Sequence, residues 1–532
     1  SSTLPTVDES DKISLRVHRN KLEHFSADDR LTANVYNTSN QTTSSSNPMA
    51  SHNPNQPNIL FILSDDQGAW AMGCAGNSEI RSPNLDRLAR EGIRFDNFFC
   101  TSPVCSPARA SILTGRIPSQ HGVHDALMWQ SDTSKGGLDR DVPADRVEFL
   151  LGIPTYAELL RDRGYDTCLS GKWHLGDGME PRCGFDTWNP MPYGGTDYFN
   201  VPIIADGELN KHDTYATDLF TDNALTFLDQ QATEQQSDQE RPFCLAVHYT
   251  APHKPWQRKH HPDSLWDEYY DHCPFESVPD ESLPKGFNVS ATSSDKRKEH
   301  LAGYFTAIEG MDRNIGRLLD YLEAQNLRSN TLVVFMADNG MNMGHHGLFG
   351  KGNATWPQNM FDTSVKVPCL ISRPGHVPEN QVNTDLLSQY DWLPTLMEYT
   401  GAPESVPDGL PGRSFAPLLA GKAIDERKSI YVFDEYGPVR MIRSQEWKLV
   451  WRYPAGPHEL YNVVEDPAEQ INLFAQKGQA ERIRSLQKEL DDWFASYVDP
   501  ELDGAKLPIT GRGQLDHATK ENAFAYRFPW ND

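Results

Sequence analysis

The chain has 532 residues, 38% of them hydrophobic and 10% aromatic, enough for a large core and more than one domain with long loops. Its formal net charge of −25 argues against nucleic acid as a partner, and no run of about 18 apolar residues is present to form a membrane-spanning helix. An anionic ligand would be repelled by the overall field, so it would need a local basic pocket, screened from the rest over roughly 8 Å.

Residues 1–56 are poorly patterned. SSTLPTVDES has neither a basic nor an apolar leader region, so a signal peptide has been removed or never existed. The Ser/Thr/Asn-rich stretch that follows reads as an extension or linker. At Asn58 the pattern changes: NILFIL is a continuous apolar run of strand length, suited to burial on both faces. Ser82 is the expected cap of a helix with Pro83 in its first turn and Gly92 after its end. Residues 105–109 read Cys-Ser-Pro-Ala-Arg and open CSPARASILTGR, where Pro107 and Ala108 suit a helix beginning at the cysteine. Further on, helical and strand-like stretches alternate. AELLRDRG precedes YDTCLS (165–170), DNALTFLDQQ precedes FCLAVHY (243–249), and an amphipathic stretch over 301–325 precedes TLVVFMA (331–337). This alternation predicts an α/β domain over 57–420 with a mostly parallel sheet. Past 420, SIYVFDEYG, VRMIRS and WKLVWRYP read as short antiparallel strands, followed by a helix from about 478 to 497. They predict a smaller α+β subdomain within 421–532, whose tail from 499 shows no clear period.

Polar residues follow the strand ends: Asp65 and Asp66, Lys172 and His174, His253, and Asp338 and Asn339. Ligands of open α/β sheets bind at the carboxyl ends of strands, so these groups are expected at one edge. Asp65, Asp66, Asp338 and Asn339 offer only oxygen, which suits Ca²⁺ or Mg²⁺ rather than zinc. Each pair by itself also reads as an ordinary strand-ending turn. Eight cysteines show no C-x-x-C or zinc spacing. Cys105 differs from the others in standing at a helix N-terminus, where an anion is favoured, with Arg109 about one turn on. A thiol hydrolase with a histidine partner is the alternative at this point. Lys172, His174, His253 and Lys351 supply the cations and proton carriers that transfer of an anionic group needs.

CSPARASILTGR, with HGV beyond it at 121–123, resembles the C-x-P-x-R signature of the type I sulfatases, in the alkaline phosphatase superfamily. NILFILSDDQG, GKWHLG, the histidine of APHKPW, ADNGMNMGHHGLFGKG, VPDGLPGRSFAPLL and EWKLVWRYPAGPHELYNVVEDPAEQINL resemble further segments of that family, in order from about Pro57 to about Leu473. The departures are Ala108 at the fourth signature position and Asn339 where many relatives have His. The resemblance implies an alkaline-phosphatase-like α/β/α sandwich with a C-terminal subdomain. It implies that Cys105 is oxidised to formylglycine (3-oxoalanine) by a formylglycine-generating or sulfatase-maturing enzyme. By the same resemblance Asp65, Asp66, Asp338, Asn339 and residue 105 bind Ca²⁺, with Mg²⁺ as the alternative, and Arg109 holds the hydrated aldehyde. Lys172 and Lys351 grip sulfate oxygens and His253 protonates the leaving alcohol. His174 takes a proton from the remaining hydroxyl, expelling sulfate. His346 is a candidate substrate contact and His121 a structural histidine.

The loops expected at 124–148, 176–215 and 254–297 are long and aromatic, as specificity-bearing rims are. Trp129, Tyr193, Tyr198 and Trp256 are candidates for stacking on sugar faces, with surface packing as the other reading. GNATWPQNMFDTSVKVPCLISRPGHVPE looks like bacterial sulfatases of sulfated glycans. The expectation is therefore an exo-acting carbohydrate sulfatase, periplasmic or secreted, that turns over aryl sulfates as surrogates. Two competing readings are a phosphonate monoester or phosphodiester hydrolase of the same fold, and a glycan-binding protein with unmodified Cys105.

Overall fold

The computed structural model describes residues 56–127, 147–205, 207–234, 241–289, 296–434, 438–511, 513–521 and 523–524. The extension expected over 1–56, apart from Gln56, and Trp129 lie outside them.

Asn58–Ser64 (β1) is buried at every position. Period-2 alternation sends Ile59, Phe61 and Leu63 into one core and Leu60 and Ile62 into another. Seven further strands complete the sheet: Gly92–Phe95 (β2), Asp166–Lys172 (β3), Thr187–Met191 (β4), Phe243–His248 (β5), Thr331–Ala337 (β6), Cys369–Ser372 (β7) and Gln381–Asn383 (β8). Their spatial order is β8-β2-β7-β6-β1-β5-β3-β4. The five strands from β6 to β4 are parallel, with Leu60 opposite Val333 and Leu245. β7 runs antiparallel to β6 and β2. The segment 176–215, expected as a loop, supplies the edge strand β4.

Helices cover both faces. Cys105–Thr114 (α2) and Trp392–Tyr399 pack Ile112, Trp392 and Leu396 against the first face. Pro83–Arg90 (α1), Ala216–Glu234 (α3) and Arg297–Ala324 (α4) pack Leu85, Leu88, Phe220, Met311 and Ile315 against the second. Each such fully buried aliphatic or aromatic side chain contributes about 1.5–3 kcal/mol relative to exposure. Ser82 precedes α1, but its side chain does not cap the helix. The Asp312 carboxylate of α4 does so, accepting from the Asn84 N–H at 3.1 Å and the Leu85 N–H at 2.8 Å.

The C-terminal part forms a four-stranded antiparallel sheet: Ser429–Asp434, Val439–Ser444, Trp447–Arg452 and Glu459–Asn462. Its Phe433, Ile442 and Leu449 pack on Leu490 and Phe494 of helix Ala480–Tyr497. Its other face, through Ile430, Val432, Met441 and Val450, belongs to the same core as Phe61 and Trp392. All eight cysteines are unpaired, and no helix of the described residues is long and apolar enough to cross a membrane.

Candidate active site

The parallel strands end at one edge, where the chain turns sharply after each. Asp66 and His174, just past β1 and β3, have φ of 59° and 55°. Such left-handed backbone is uncommon for residues other than glycine and concentrates at functional sites. Tertiary bonds hold it: Tyr304 Oη donates to Asp66 O at 3.0 Å, and Asp66 N–H donates to Asp338 Oδ1 at 3.1 Å. Asp338 N–H donates to Ser64 O at 3.1 Å, joining the ends of β1 and β6.

Cys105 is the first residue of α2, and its Sγ lies 3.3 Å from Asp65 Oδ1, 3.7 Å from Asp66 Oδ1 and 2.7 Å from Lys351 Nζ. Ligand atoms of Asp65, Asp66, Cys105 and Asp338 all lie within 4.8 Å of one another, and all four residues are buried. Lys172 Nζ donates to Asp65 Oδ2 at 2.5 Å, and Lys351 Nζ to Asp66 Oδ1. Arg109 Nε donates to Asp338 Oδ2 at 3.0 Å and its Nη1 to Lys172 O at 3.1 Å. Asn339 Nδ2 donates to Asp66 Oδ1 at 2.8 Å, and Asn339 Oδ1 lies 3.3 Å from Lys351 Nζ. His253 Nε2 is 3.6 Å from Asp66 Oδ2, and its Nδ1 donates to Lys254 O at 2.7 Å.

Burial pushes the Asp65 carboxyl up to about 7, with Asp338 and Asp66 adding to the push and Lys172 opposing it. Burial would raise Asp66 too, but Lys351, His253 and Lys172 hold it well below the usual carboxylate range. Burial and the Asp65 carboxylate raise the Cys105 thiol, so a thiolate is disfavoured where a thiol hydrolase would need one. Its hydrogen-bond partners are two carboxylates and an ammonium rather than a histidine. Burial, then Lys172 and Arg109, lower His174 well below the usual imidazole range, leaving it neutral.

The donor set fits a hard cation. Two oxygens bound to one ion at about 2.4 Å each can be at most about 4.8 Å apart, the spread found among these four residues. Sulfur at position 105 is the one soft donor; an aldehyde-derived oxygen there would make the set uniform.

Two sugar-contact expectations are corrected by packing. Trp256 is a core residue: it packs against Tyr304 and its Nε1 donates to Pro252 O at 2.9 Å, so neither ring face is open to a sugar. Tyr198 is buried as well, and its hydroxyl donates to His253 O at 2.8 Å. His346 is buried, stacked on Phe361 at 3.7 Å with Nδ1 3.5 Å from Gln470 Nε2. Both ring nitrogens of His121 are taken up structurally, by Ser111 Oγ and the Val123 N–H, each at 3.1 Å.

Several residues here carry no local sequence signal. Asn359 Nδ2 donates to Lys351 O at 3.0 Å and fixes that lysine's loop. Gln389 Nε2 donates to the carbonyls of Ala337 and Asp338 at 2.9 and 2.8 Å. Gly194 and Gly195 press on two histidines: a Cβ at Gly194 would sit 2.6 Å from Cε1 and Nε2 of His174, and one at Gly195 would sit 3.0 Å from Cε1 of His253. Only the doublet in PYGGTDY hinted at them.

The family model described as Sulfatase matches residues 57–402, and that described as N-sulphoglucosamine sulphohydrolase, C-terminal, matches 344–495. The chain is 28% identical to an N-acetylglucosamine-6-O-sulfatase of Bacteroides thetaiotaomicron, over 84% of this chain and 88% of that one. It is 30% identical to an ulvan-active sulfatase of Formosa agariphila, over 82% and 80%. A solved structure described as a complex with its substrate D-glucosamine-2-N,6-O-disulfate superposes with a TM-score of 0.66 at 26% identity, over 85% of this chain and 99% of that one.

Proposed function

This chain belongs to the sulfatase family, and from that premise we propose that it is an exo-acting carbohydrate sulfatase whose nucleophile is made from Cys105. It is a sulfuric ester hydrolase; sulfated sugars as its substrate class are supported by the relatives that act on N-acetylglucosamine-6-O-sulfate and ulvan. The observation that carries the reading is the position of Cys105, at a helix start and against three buried carboxylates and a lysine ammonium.

Residue 105, once oxidised to formylglycine, would supply a hydrated aldehyde as nucleophile, and a calcium ion, which Asp65, Asp66, Asp338 and Asn339 would hold, would supply positive charge. Lys172 and Lys351 bring ammonium groups to the same point, where they bind the sulfate oxygens and neutralise charge that builds on them. Arg109, pinned between Asp338 and the Lys172 carbonyl, orients residue 105 from one helical turn away. His253 has Nδ1–H fixed on Lys254 O, so Nε2 is the atom that passes a proton to the leaving alcohol. Burial lowers this ring to about 4, against the pull of Asp66; the negative charge of an incoming sulfate favours its protonated form. His174 donates Nε2–H to Leu127 O at 3.2 Å, and its Nδ1 is buried with no hydrogen-bond partner among the described residues. Neutral and bare at Nδ1, it accepts a proton. The family reading further implies a maturation enzyme as partner and a periplasmic or secreted location.

The test is sulfate release from defined sulfated mono- and oligosaccharides, paired with mass spectrometry of the Cys105 peptide. Conversion of thiol to aldehyde lowers its mass by about 18 Da, a step outside the usual cysteine oxidation ladder. An intact thiol in natively produced protein, together with no sulfate release, would favour a glycan-binding protein instead.

A further inference from the structure

The tail beyond residue 499 reaches back to the wall of the site. Asp499 N–H donates to Ser119 O at 2.9 Å, and Gly504 N–H to Ser119 Oγ at 3.3 Å. Gln514 is fully buried and bonds backbone groups of Gly122, His124, Asp125 and Ala126. Its Nε2 donates to Gly122 O at 2.8 Å and to Asp516 O at 3.0 Å. Its Oε1 accepts from the N–H groups of His124 at 2.8 Å and Asp125 at 3.4 Å. Its own N–H donates to Ala126 O at 2.9 Å. Gly513 N–H adds a bond to Asp125 Oδ2 at 3.0 Å.

The next residue, Leu127, connects this clamp to the chemistry. Its N–H donates to the hydroxyl of Ser106, beside Cys105, at 3.1 Å, and its carbonyl accepts from His174 Nε2 at 3.2 Å. A backbone carbonyl can only accept, so this bond fixes the proton of neutral His174 on Nε2 and leaves Nδ1 to take another. We propose that Gln514 is a positioning residue for His174: by clamping Gly122–Leu127, the tail places the carbonyl that orients this ring and sets its tautomer. Without the Gln514 amide, Gly122 O and the N–H groups of His124 and Asp125 lose their partner, so the segment, and Leu127 O with it, shifts. The inference rests on the reading of His174 as the proton acceptor.

A kinetic cycle on the mature, calcium-loaded enzyme with an aryl sulfate tests both parts separately. His174→Ala is expected to lower kcat by at least about a hundredfold. Gln514→Met, similar in length but without the amide, is expected to lower kcat about tenfold with KM changed less than about twofold, because the sulfate-binding lysines are untouched. Added to His174→Ala, it should cost nothing further, since residues acting as a unit are not additive. An equal fall in both backgrounds, or an unchanged kcat in Gln514→Met, overturns the positioning role. Full activity in His174→Ala overturns the base assignment instead. Should Gln514→Met fail to fold, Gln514→Glu, which keeps the acceptor for the His124 N–H and loses the donor to Gly122 O, is put through the same cycle and decides the matter.

Discussion

Gly194→Ala tests the geometry of the site with a single methyl group. The added Cβ would stand 2.6 Å from both Cε1 and Nε2 of His174 and 3.2 Å from Cδ2. Carbon atoms in contact settle at about 3.5–4.0 Å, so the ring must move by roughly 1 Å. One of the two atoms pushed hardest is the one that donates to Leu127 O at 3.2 Å, so that bond breaks or bends. A misplacement of about 1 Å in a catalytic group costs about a hundredfold in rate. Overpacking of this size costs about 1–3 kcal/mol of stability, a fraction of the roughly 5–15 kcal/mol by which a domain is stable. The variant should therefore stay folded while kcat falls about a hundredfold, with KM for an aryl sulfate changed little. Gly195→Ala is the graded control. Its Cβ meets His253 Cε1 at 3.0 Å, a milder contact, so a loss nearer tenfold is expected. Steady-state kinetics beside a thermal melt give both readouts. A Gly194→Ala enzyme with native kcat and a native melt would refute the premise that His174 is held in place by this glycine and acts from there.

Other consequences follow from the buried charges. Cys105→Ala should abolish sulfate release and leave the melting temperature near native, because the side chain touches polar groups rather than the apolar core; retained turnover would unseat the nucleophile. Chelation of calcium should lower the melting temperature as well as activity, since Asp65, Asp66 and Asp338 then repel one another; readdition at about a hundredfold over Kd should restore about 2.7 kcal/mol, read by calorimetry. Lys448, fully buried, donates to Asp362 Oδ1 at 2.9 Å and to Glu469, tying the C-terminal sheet to the short helix Asp362–Val365. Lys448→Met should cost about 3–5 kcal/mol in urea unfolding, because two carboxylates lose their shared cation; a loss below about 1 kcal/mol would show that the pair is solvated. Burial, and Asp362 beside it, raise Glu469 to about 7 against the pull of Lys448. A raised carboxyl contributes stability that is complete below its unfolded value and lost as pH rises through the folded one. Glu469→Gln should therefore gain stability relative to the parent as pH rises from about 4.5 to about 7, and a flat difference across that window would contradict the assignment.

Local pattern carried a large part of the fold. A continuous apolar run forms a strand buried on both faces wherever helices are available to cover it, and NILFIL and TLVVFMA became the central parallel strands. Polar residues directly after such runs emerge at one edge because parallel strands end together, which is why Asp65, Asp66, Lys172 and Asp338 meet. The strands β2, β7 and β8 were not legible: they are two to four residues shorter than the central ones and lack alternation of their own. The tail was illegible for another reason. Gln514 has no periodic neighbour, and its partners lie some 390 residues away in the chain.

Period and spacing thus determined the central parallel strands and the polar edge at their ends, because those depend on short-range chemistry repeated along the chain. Tertiary packing alone decided orientation: that Trp256 and Tyr198 turn into the core, that His346 stacks on Phe361, that Gly194 lies against His174, that Asn359 bonds the Lys351 carbonyl, and that Gln514 bonds the backbone of Gly122, His124 and Asp125. A side chain's period says which face it takes but not which distant atom it meets there, and that meeting is settled only when the whole chain has closed around it.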